Sequence, residues 1–321
     1  MNQKTRETIK KLTIILIGTG MVSSIIILTS AKVQSRFVEY AYAGAPVFVD
    51  KYIEKELARE FASQMDDYAA GFLIMNGLMK NDPAAGPVAY FAADRHYGVV
   101  SADDPLVKKR LQGRPSSDFA LFRSISTNFY ANELVSRSVA AQDGSYVFVN
   151  LDEHWRASLL HSYAHAISAC NAPARLTAAF KLDQGFDPDV RFAFRFVDET
   201  FALFSSDLLE LEAASGSLET AWATFAEATS GRYQDPASDV LEREEEIIKA
   251  TYDMPQKTAE FYAACNSFAS WLLKQHGQKI FCSIASNFLA GRYNSLEEVF
   301  APVGGLSQAI TSWKGDASMP L

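Results

Sequence analysis

An uncharged, apolar segment near the N-terminus constrains this chain more than any other feature. Residues 12–31 contain no acidic or basic side chain, and residues 1–11 carry four basic side chains and one acidic side chain. A helix of this length, rising ~1.5 Å per residue, spans about 30 Å, the thickness of the hydrocarbon core of a bilayer. Because basic flanks stay in the cytoplasm, we expect a cytoplasmic tail (1–11), a transmembrane anchor (12–31) and a C-terminal part outside the cytoplasm.

A cleaved signal peptide is the alternative interpretation of this segment, and the mature chain would then be periplasmic or secreted. Residues 29–31 loosely resemble a cleavage site, and residues 41–43 match the small-x-small pattern better. The second site lies far from the apolar stretch, which is also longer than a usual signal core. A buried core helix is the third interpretation.

The rest of the chain is long and apolar enough for one large domain. The 321 residues are 48% hydrophobic and 12% aromatic, which excludes disorder as the main state. With 30 Lys and Arg against 38 Asp and Glu, the net charge is −8, and nucleic-acid binding needs concentrated positive charge. We therefore expect no nucleic-acid partner. Three cysteines, Cys170, Cys265 and Cys282, cannot all pair within one chain, and the sequence does not choose a pairing.

Hydrophobic periodicity predicts a predominantly helical α+β domain with a small N-terminal sheet. Aromatic and β-branched runs predict two strands, and nearly everything after Leu151 has helical character. The predicted order is a linker (32–46), a domain (47–315) and a short tail (316–321). Within the domain the pattern predicts a helix from about 50 to 79, a strand at 88–93, a polar stretch at 101–118, a helix near 119–140 and a strand at 145–151.

The helix after the second strand contains the sequence HSYAH, with His161 and His165 four residues apart. This spacing places both imidazoles on one helix face, where two ring nitrogens can bind one metal ion. His154, seven residues earlier, shares the face, but its Cα is expected about 10 Å from that of His161, too far for the same ion. On its own the pair also fits two histidines that are hydrogen-bonded in a semi-polar core.

Residues 196–204, FVDETFALF, resemble the third-ligand helix of the gluzincin (peptidase MA-like) metallopeptidases, whose pattern is W-L-x-E-G-x-A-x-Y/F. The resemblance implies that Glu199 is a third zinc ligand, that Ala202 packs against the metal helix and that Phe204 is the closing aromatic. The chain departs from the pattern at Thr200, which occupies the glycine position, and a Phe-Val pair replaces Trp-Leu.

Residues 262–277, YAACNSFASWLLKQHG, resemble an aminopeptidase-like helix that opens with a tyrosine and ends in a glycine. In that family the tyrosine donates a hydrogen bond to the developing oxyanion, so the resemblance implies this role for Tyr262. An aromatic helix also places tyrosines in the core, which is the alternative for this residue.

One departure from the family bears directly on catalysis. The metal motif of the gluzincins is H-E-x-x-H, and its glutamate is the general base. Ser162 occupies that position here. A serine hydroxyl cannot serve as this base, and loss of such a group typically reduces the rate about 10²- to 10⁴-fold. Zinc binding through His161, His165 and Glu199 does not depend on the side chain at position 162.

The residue that would orient a metal-binding histidine also differs from the family pattern. Related enzymes often place a carboxylate four residues after the ligand glutamate to orient a histidine, and Leu203 stands there. Asp198 or Asp207 is a candidate to replace it. Glu199 itself could instead lie at a solvent edge or pair with Arg195 one turn away.

We therefore expect a membrane-anchored, extracytoplasmic metallopeptidase homologue that is catalytically impaired, holds zinc and binds a peptide or protein partner. One alternative is an active zinc peptidase that uses another base, such as Glu153 or Asp198. A second alternative is a metal-free structural or interaction domain in which His161 and His165 are core polar residues.

Overall fold

The fold is predominantly helical, with one small mixed sheet in its N-terminal half. This computed structural model describes the following residues: 34–41, 46–64, 77, 89–93, 103–112, 138–140, 146–151, 155–173, 188–230 and 255–317. The predicted anchor at 12–31 lies outside them. Among the helices that are described, none is long and apolar enough to cross a bilayer.

Five strands form the sheet in the order β1-β2-β3-β5-β4. The β1/β2 and β4/β5 pairs are antiparallel, whereas β2/β3 and β3/β5 are parallel. The strands are β1 (Phe37–Ala41), β2 (Pro46–Asp50), β3 (Ala89–Ala93), β4 (Ser138–Ala140) and β5 (Tyr146–Asn150). The predicted strands at 88–93 and 145–151 are confirmed as β3 and β5, which are adjacent in the sheet.

Helices make up the described chain after β5, as predicted. Three of the helices begin at a proline, whose fixed φ suits the first helical turn. The helices are α1 (Pro105–Leu111), α2 (Trp155–Asn171), α3 (Pro188–Ser215), α4 (Leu218–Ser230), α5 (Pro255–Leu289), α6 (Leu296–Val299) and α7 (Leu306–Ala317), with a 3-10 turn at Ala301–Val303 between the last two. The last helix extends two residues beyond the predicted domain end at 315.

The predicted linker at 32–46 is wrong in its second half, because β1 and the first residue of β2 lie there. The guanidinium of Arg36 forms an ion pair with the buried carboxylate of Asp50. The backbone N–H of Arg36 donates to Asp104 at 2.6 Å, and Asp104 also caps α1. The domain therefore begins at about residue 35. Five-residue strands give too short a pattern to be recognised from periodicity.

Three other predicted boundaries differ from the structure. The helix predicted from about 50 to 79 is seen over residues 55–64, and Asp50 belongs to the end of β2. Between residues 65 and 79, only the turn at Gly77 is described. The polar stretch at 101–118 contains α1. The end of the helix predicted near 119–140 forms β4 instead, and residues 119–137 lie outside the described part of the chain.

Valine and alanine side chains of the sheet and aromatic side chains of the helices form one core. Phe204 shows the density of this packing, because its ring centroid lies 4.3 Å from that of Phe281 and 4.7 Å from that of Phe225. Burial of so many large apolar side chains supplies the main driving force for folding. The fully buried aromatic side chains include Phe61, Phe91, Phe148, Phe194, Phe196, Phe201, Phe204, Phe225 and Phe261.

None of the three cysteines forms a disulfide within the described residues. Cys170 is exposed, Cys282 is half-buried and Cys265 is fully buried, with its sulfur 3.7 Å from the carbonyl oxygen of Phe196. The disulfide that the sequence allowed is therefore not formed.

Candidate metal centre

Helix α2 presents two histidines to one point. Its other face is apolar and buried, which fixes the rotation of the helix against the sheet and α3. The Nε2 atoms of His161 and His165 lie 3.1 Å apart, and the two rings are nearly perpendicular, with an interplanar angle of 82°. The two imidazoles thus direct their Nε2 atoms into the same small space.

Helix α3 supplies the third group. One carboxylate oxygen of Glu199, Oε2, lies 3.5 Å from Nε2 of His161 and 3.5 Å from Nε2 of His165. This oxygen is buried and has no hydrogen-bond partner within the described residues. Together the three side chains form a group that could hold a metal ion. The structure thus brings together the three residues that the sequence analysis nominated.

Neighbouring groups orient both histidines. Nδ1 of His165 lies 2.6 Å from Oδ2 of Asp198, a buried carboxylate that also accepts a hydrogen bond from the hydroxyl of Ser168. His161 is hydrogen-bonded to the backbone of Ala202. The contact with Asp198 holds the ring of His165 with its Nε2 atom toward Glu199.

Of the two candidate supporting carboxylates, Asp198 takes this position. The side chain of Asp207 accepts a hydrogen bond of 2.5 Å from Nδ2 of Asn266 on α5. Leu203, which stands where related enzymes have a carboxylate, is a buried core residue. The guanidinium of Arg195 lies over the ring of Phe261, with 5.6 Å between its Cζ and the ring centroid.

The pKa values reflect the close approach of these groups. Burial, together with the charge of His165, lowers the pKa of His161 to about 4, although Glu199 opposes this shift. Burial also acts to lower the pKa of His165, but the charges of Asp198 and Glu199 outweigh it and raise that pKa well above its ordinary value. Burial acts to raise the pKa of Glu199, but His165 and His161 outweigh it and lower that pKa to about 2. The glutamate is therefore a carboxylate at neutral pH.

The two residues to which the sequence analysis gave catalytic positions differ in their surroundings. Ser162 follows His161 on α2 and is buried. The ring of Tyr262, half-buried on α5, lies beside that of His161, with 6.4 Å between centroids. Helix α5 begins at Pro255, so Tyr262 does not open it as the resemblance implied. The predicted glycine end is present as an interruption at Gly277, where φ is 76°.

Ser168 is the residue that sequence reasoning missed. The available signal was its position, three residues after His165 in an otherwise apolar part of α2. That spacing puts it near the same helix face. Residues His154 and Glu153, which the sequence analysis considered, lie outside the described residues.

Comparison of the chain with protein-family models, curated proteins and solved structures found no match. The gluzincin resemblance therefore rests on the sequence segments alone.

Proposed function

We propose that this protein is a membrane-anchored, extracytoplasmic homologue of the gluzincin metallopeptidases, which holds zinc at His161, His165 and Glu199 and has lost most hydrolytic activity. The observation that carries the proposal is the convergence of these three side chains, because they come from two helices and match the family's ligand types in its order along the chain. When bound, zinc would act as a Lewis acid toward a carbonyl oxygen.

The distances between the donor atoms favour zinc over a hard octahedral cation. In a tetrahedral site with zinc bonds of ~2.0–2.1 Å, neighbouring ligand atoms are about 3.3–3.4 Å apart. The three separations here are 3.1, 3.5 and 3.5 Å. An octahedral ion with bonds of ~2.0–2.1 Å would draw neighbouring ligands to about 2.9 Å and prefers oxygen atoms. Two imidazoles and one carboxylate are a common zinc ligand set.

The environment of Glu199 fits a bound cation. Oε2 of this buried carboxylate points between two imidazole nitrogens, 3.5 Å from each, which is longer than an ordinary hydrogen bond. A cation bound to all three groups would satisfy this oxygen.

Two features account for the proposed loss of peptidase activity: Ser162 replaces the general base, and both oxygens of Asp198 are already in contacts. Asp198 was the candidate replacement base, but one of its oxygens accepts from Ser168 and the other contacts His165. A carboxylate that is buried and used on both oxygens is poorly placed to remove a proton from a substrate water. These contacts support an impaired site over an active peptidase with this base.

A peptide or protein partner fits the edge of the sheet. β4 pairs with β5 on one side, lies at the end of the described strand order and packs against α2. An extended peptide can add to such an edge through backbone hydrogen bonds, and this mode of binding does not need the missing glutamate. We propose that an extended partner segment adds to β4, the strand that packs against α2, in this way.

The metal content and the peptidase activity of the full-length protein in detergent test the proposal. We expect about one zinc per chain by elemental analysis and little or no cleavage of a peptide library. Ser162→Glu should create or raise cleavage that a chelator abolishes, whereas Ser162→Gln, which has a similar size but no basic oxygen, should not.

Three results would contradict parts of this proposal. Wild-type protein without zinc would favour the metal-free domain. Chelator-sensitive cleavage by wild-type protein would favour the active peptidase. A folded Ser162→Glu variant that binds zinc and remains inert would show that the site lacks the geometry for hydrolysis.

A further inference from the structure

A buried serine on the metal helix contacts the carboxylate that holds His165. Ser168 is fully buried on α2, and its hydroxyl donates to Oδ1 of Asp198. The same hydroxyl lies 3.0 Å from the carbonyl oxygen of His165. Its partner Asp198 is on α3, so this contact joins the two helices that supply the ligands.

Both oxygens of Asp198 are thereby used. Oδ1 accepts from Ser168, and Oδ2 is 2.6 Å from Nδ1 of His165. A carboxylate held by one contact can rotate about its last side-chain bond, whereas a carboxylate held at both oxygens has a fixed plane. The orientation of the imidazole, and with it the direction of Nε2, depends on that plane.

We infer that Ser168 is a positioning residue of the metal site, which fixes Asp198 so that His165 directs its Nε2 atom toward His161 and Glu199. The inference rests on the proposed metal site and adds a residue to it. Ser168 acts through Asp198, to which its hydroxyl donates.

Ser206 is a useful comparison, because its hydroxyl bonds to the backbone of its own helix. Ser206 on α3 donates from its hydroxyl to the backbone carbonyl of Leu203, three residues earlier, at 2.9 Å. The hydroxyl of Ser168 lies at a similar distance from the carbonyl oxygen of His165, but it directs its single proton to the carboxylate of Asp198. Ser206→Ala is therefore a matched control, because it removes the local hydrogen bond without touching the metal site.

The test measures zinc affinity of the full-length protein by competition with a chelator. Removing a group that orients a ligand typically weakens metal binding about 10- to 100-fold, and we expect about tenfold for Ser168→Ala. Ser206→Ala should leave the affinity unchanged, and Ser168→Thr, which keeps the hydroxyl, should restore most of it. In an Asp198→Asn background, Ser168→Ala should cause little further loss, because the two residues act in series.

An equal loss in both backgrounds would overturn the inference, because Ser168 would then act independently of Asp198. A second measurement needs no zinc: the Nδ1 proton of His165 in metal-free protein, followed by NMR, should exchange with solvent faster in Ser168→Ala than in Ser206→Ala. Equal exchange rates would also overturn the inference. Wild-type protein that binds no zinc but shows this difference would refute the proposed function and leave the positioning role intact.

Discussion

Nδ1 of His165 lies 2.6 Å from Oδ2 of Asp198, although the two residues are 33 positions apart in the sequence. This contact joins α2 to α3 next to the candidate metal site, where the Nε2 atoms of the two histidines lie near Glu199. The site therefore depends on how these two helices pack, and the predictions below test the ligands and the packing separately.

Glu199→Gln should weaken zinc binding by more than about 100-fold, because loss of a ligand should exceed the 10- to 100-fold cost of losing a supporting group. The change removes the negative charge but keeps the size of the side chain. Chelator competition measures the affinity. Glu219→Gln, at an exposed position in the first turn of α4, is the control and should leave zinc affinity unchanged. Similar zinc affinities for the two variants would remove Glu199 from the ligand set.

Zinc should raise the melting temperature of the wild-type protein. A ligand that binds only the folded state stabilises it by about 2.7 kcal/mol at 100 times Kd. For a domain of this length, with an unfolding entropy of ~2.1 cal/mol/K per residue, that corresponds to an increase of about 5 °C. Differential scanning fluorimetry measures the shift, which His161→Ala should abolish and His276→Ala should preserve. Magnesium should give no comparable shift, because it prefers oxygen ligands.

Gly291→Ala should destabilise the fold near the C-terminal end of α2. Gly291 has φ of 65°, and an added Cβ would lie 1.9 Å from the carbonyl oxygen of Asn171, the last residue of that helix. We expect a loss of more than about 2 kcal/mol in the free energy of unfolding, from the left-handed conformation and the overlap together. Urea denaturation measures it.

Two other glycines separate these two causes. Gly216 has φ of 69° but nothing within 4 Å of the added atom, so Gly216→Ala should cost only about 1 kcal/mol. Gly315 lies in α7 with open space around it, and Gly315→Ala should stabilise the helix by about 0.5–1 kcal/mol. Equal effects at Gly291 and Gly216 would show that the close approach to α2 is absent.

Phe204→Ala should cost about 3–5 kcal/mol, because it opens a cavity in the aromatic core. The Phe204 ring is fully buried and packs against Phe281, Trp222 and Phe225. Val38→Ala, at a position with 46% of its surface exposed, should change the free energy of unfolding by less than about 0.5 kcal/mol. A loss below about 1 kcal/mol for Phe204→Ala would contradict the packing described for α3, α4 and α5.

The cysteines should react with a thiol reagent in a fixed order. Cys170 is exposed and should be modified first. Burial raises the pKa of Cys282 to about 11, so only about one thousandth of its side chains are thiolates at pH 8. The rate of its modification should therefore rise about tenfold per pH unit up to that pKa. Burial also raises the pKa of Cys265, which should react only after unfolding. Mass spectrometry of the labelled peptides gives the order, and rapid native labelling of Cys265 would contradict it.

Local sequence patterns predicted the elements that carry the site. The aromatic and β-branched runs of β3 and β5 and the helical character of α2 are properties of residues close together in the chain, so periodicity revealed them. The four-residue spacing of His161 and His165 likewise determines that both rings share one face of a helix. The strands β1 and β2 were not recognised, because their short patterns become strands only by pairing with each other and with β3.

The sequence determined that this chain has a helix with two histidines on one face and a second helix that carries acidic side chains. It left open whether Asp198 or Asp207 supports the histidines and whether Glu199 faces them, because the two aspartates lie on opposite faces of one helix and the local sequence does not specify which face packs against α2. Only the packing of α3 against α2 decided this, since it brings Asp198 to His165 and leaves Asp207 against Asn266. Relations of this kind depend on the crossing of helices distant in sequence, which local periodicity does not specify.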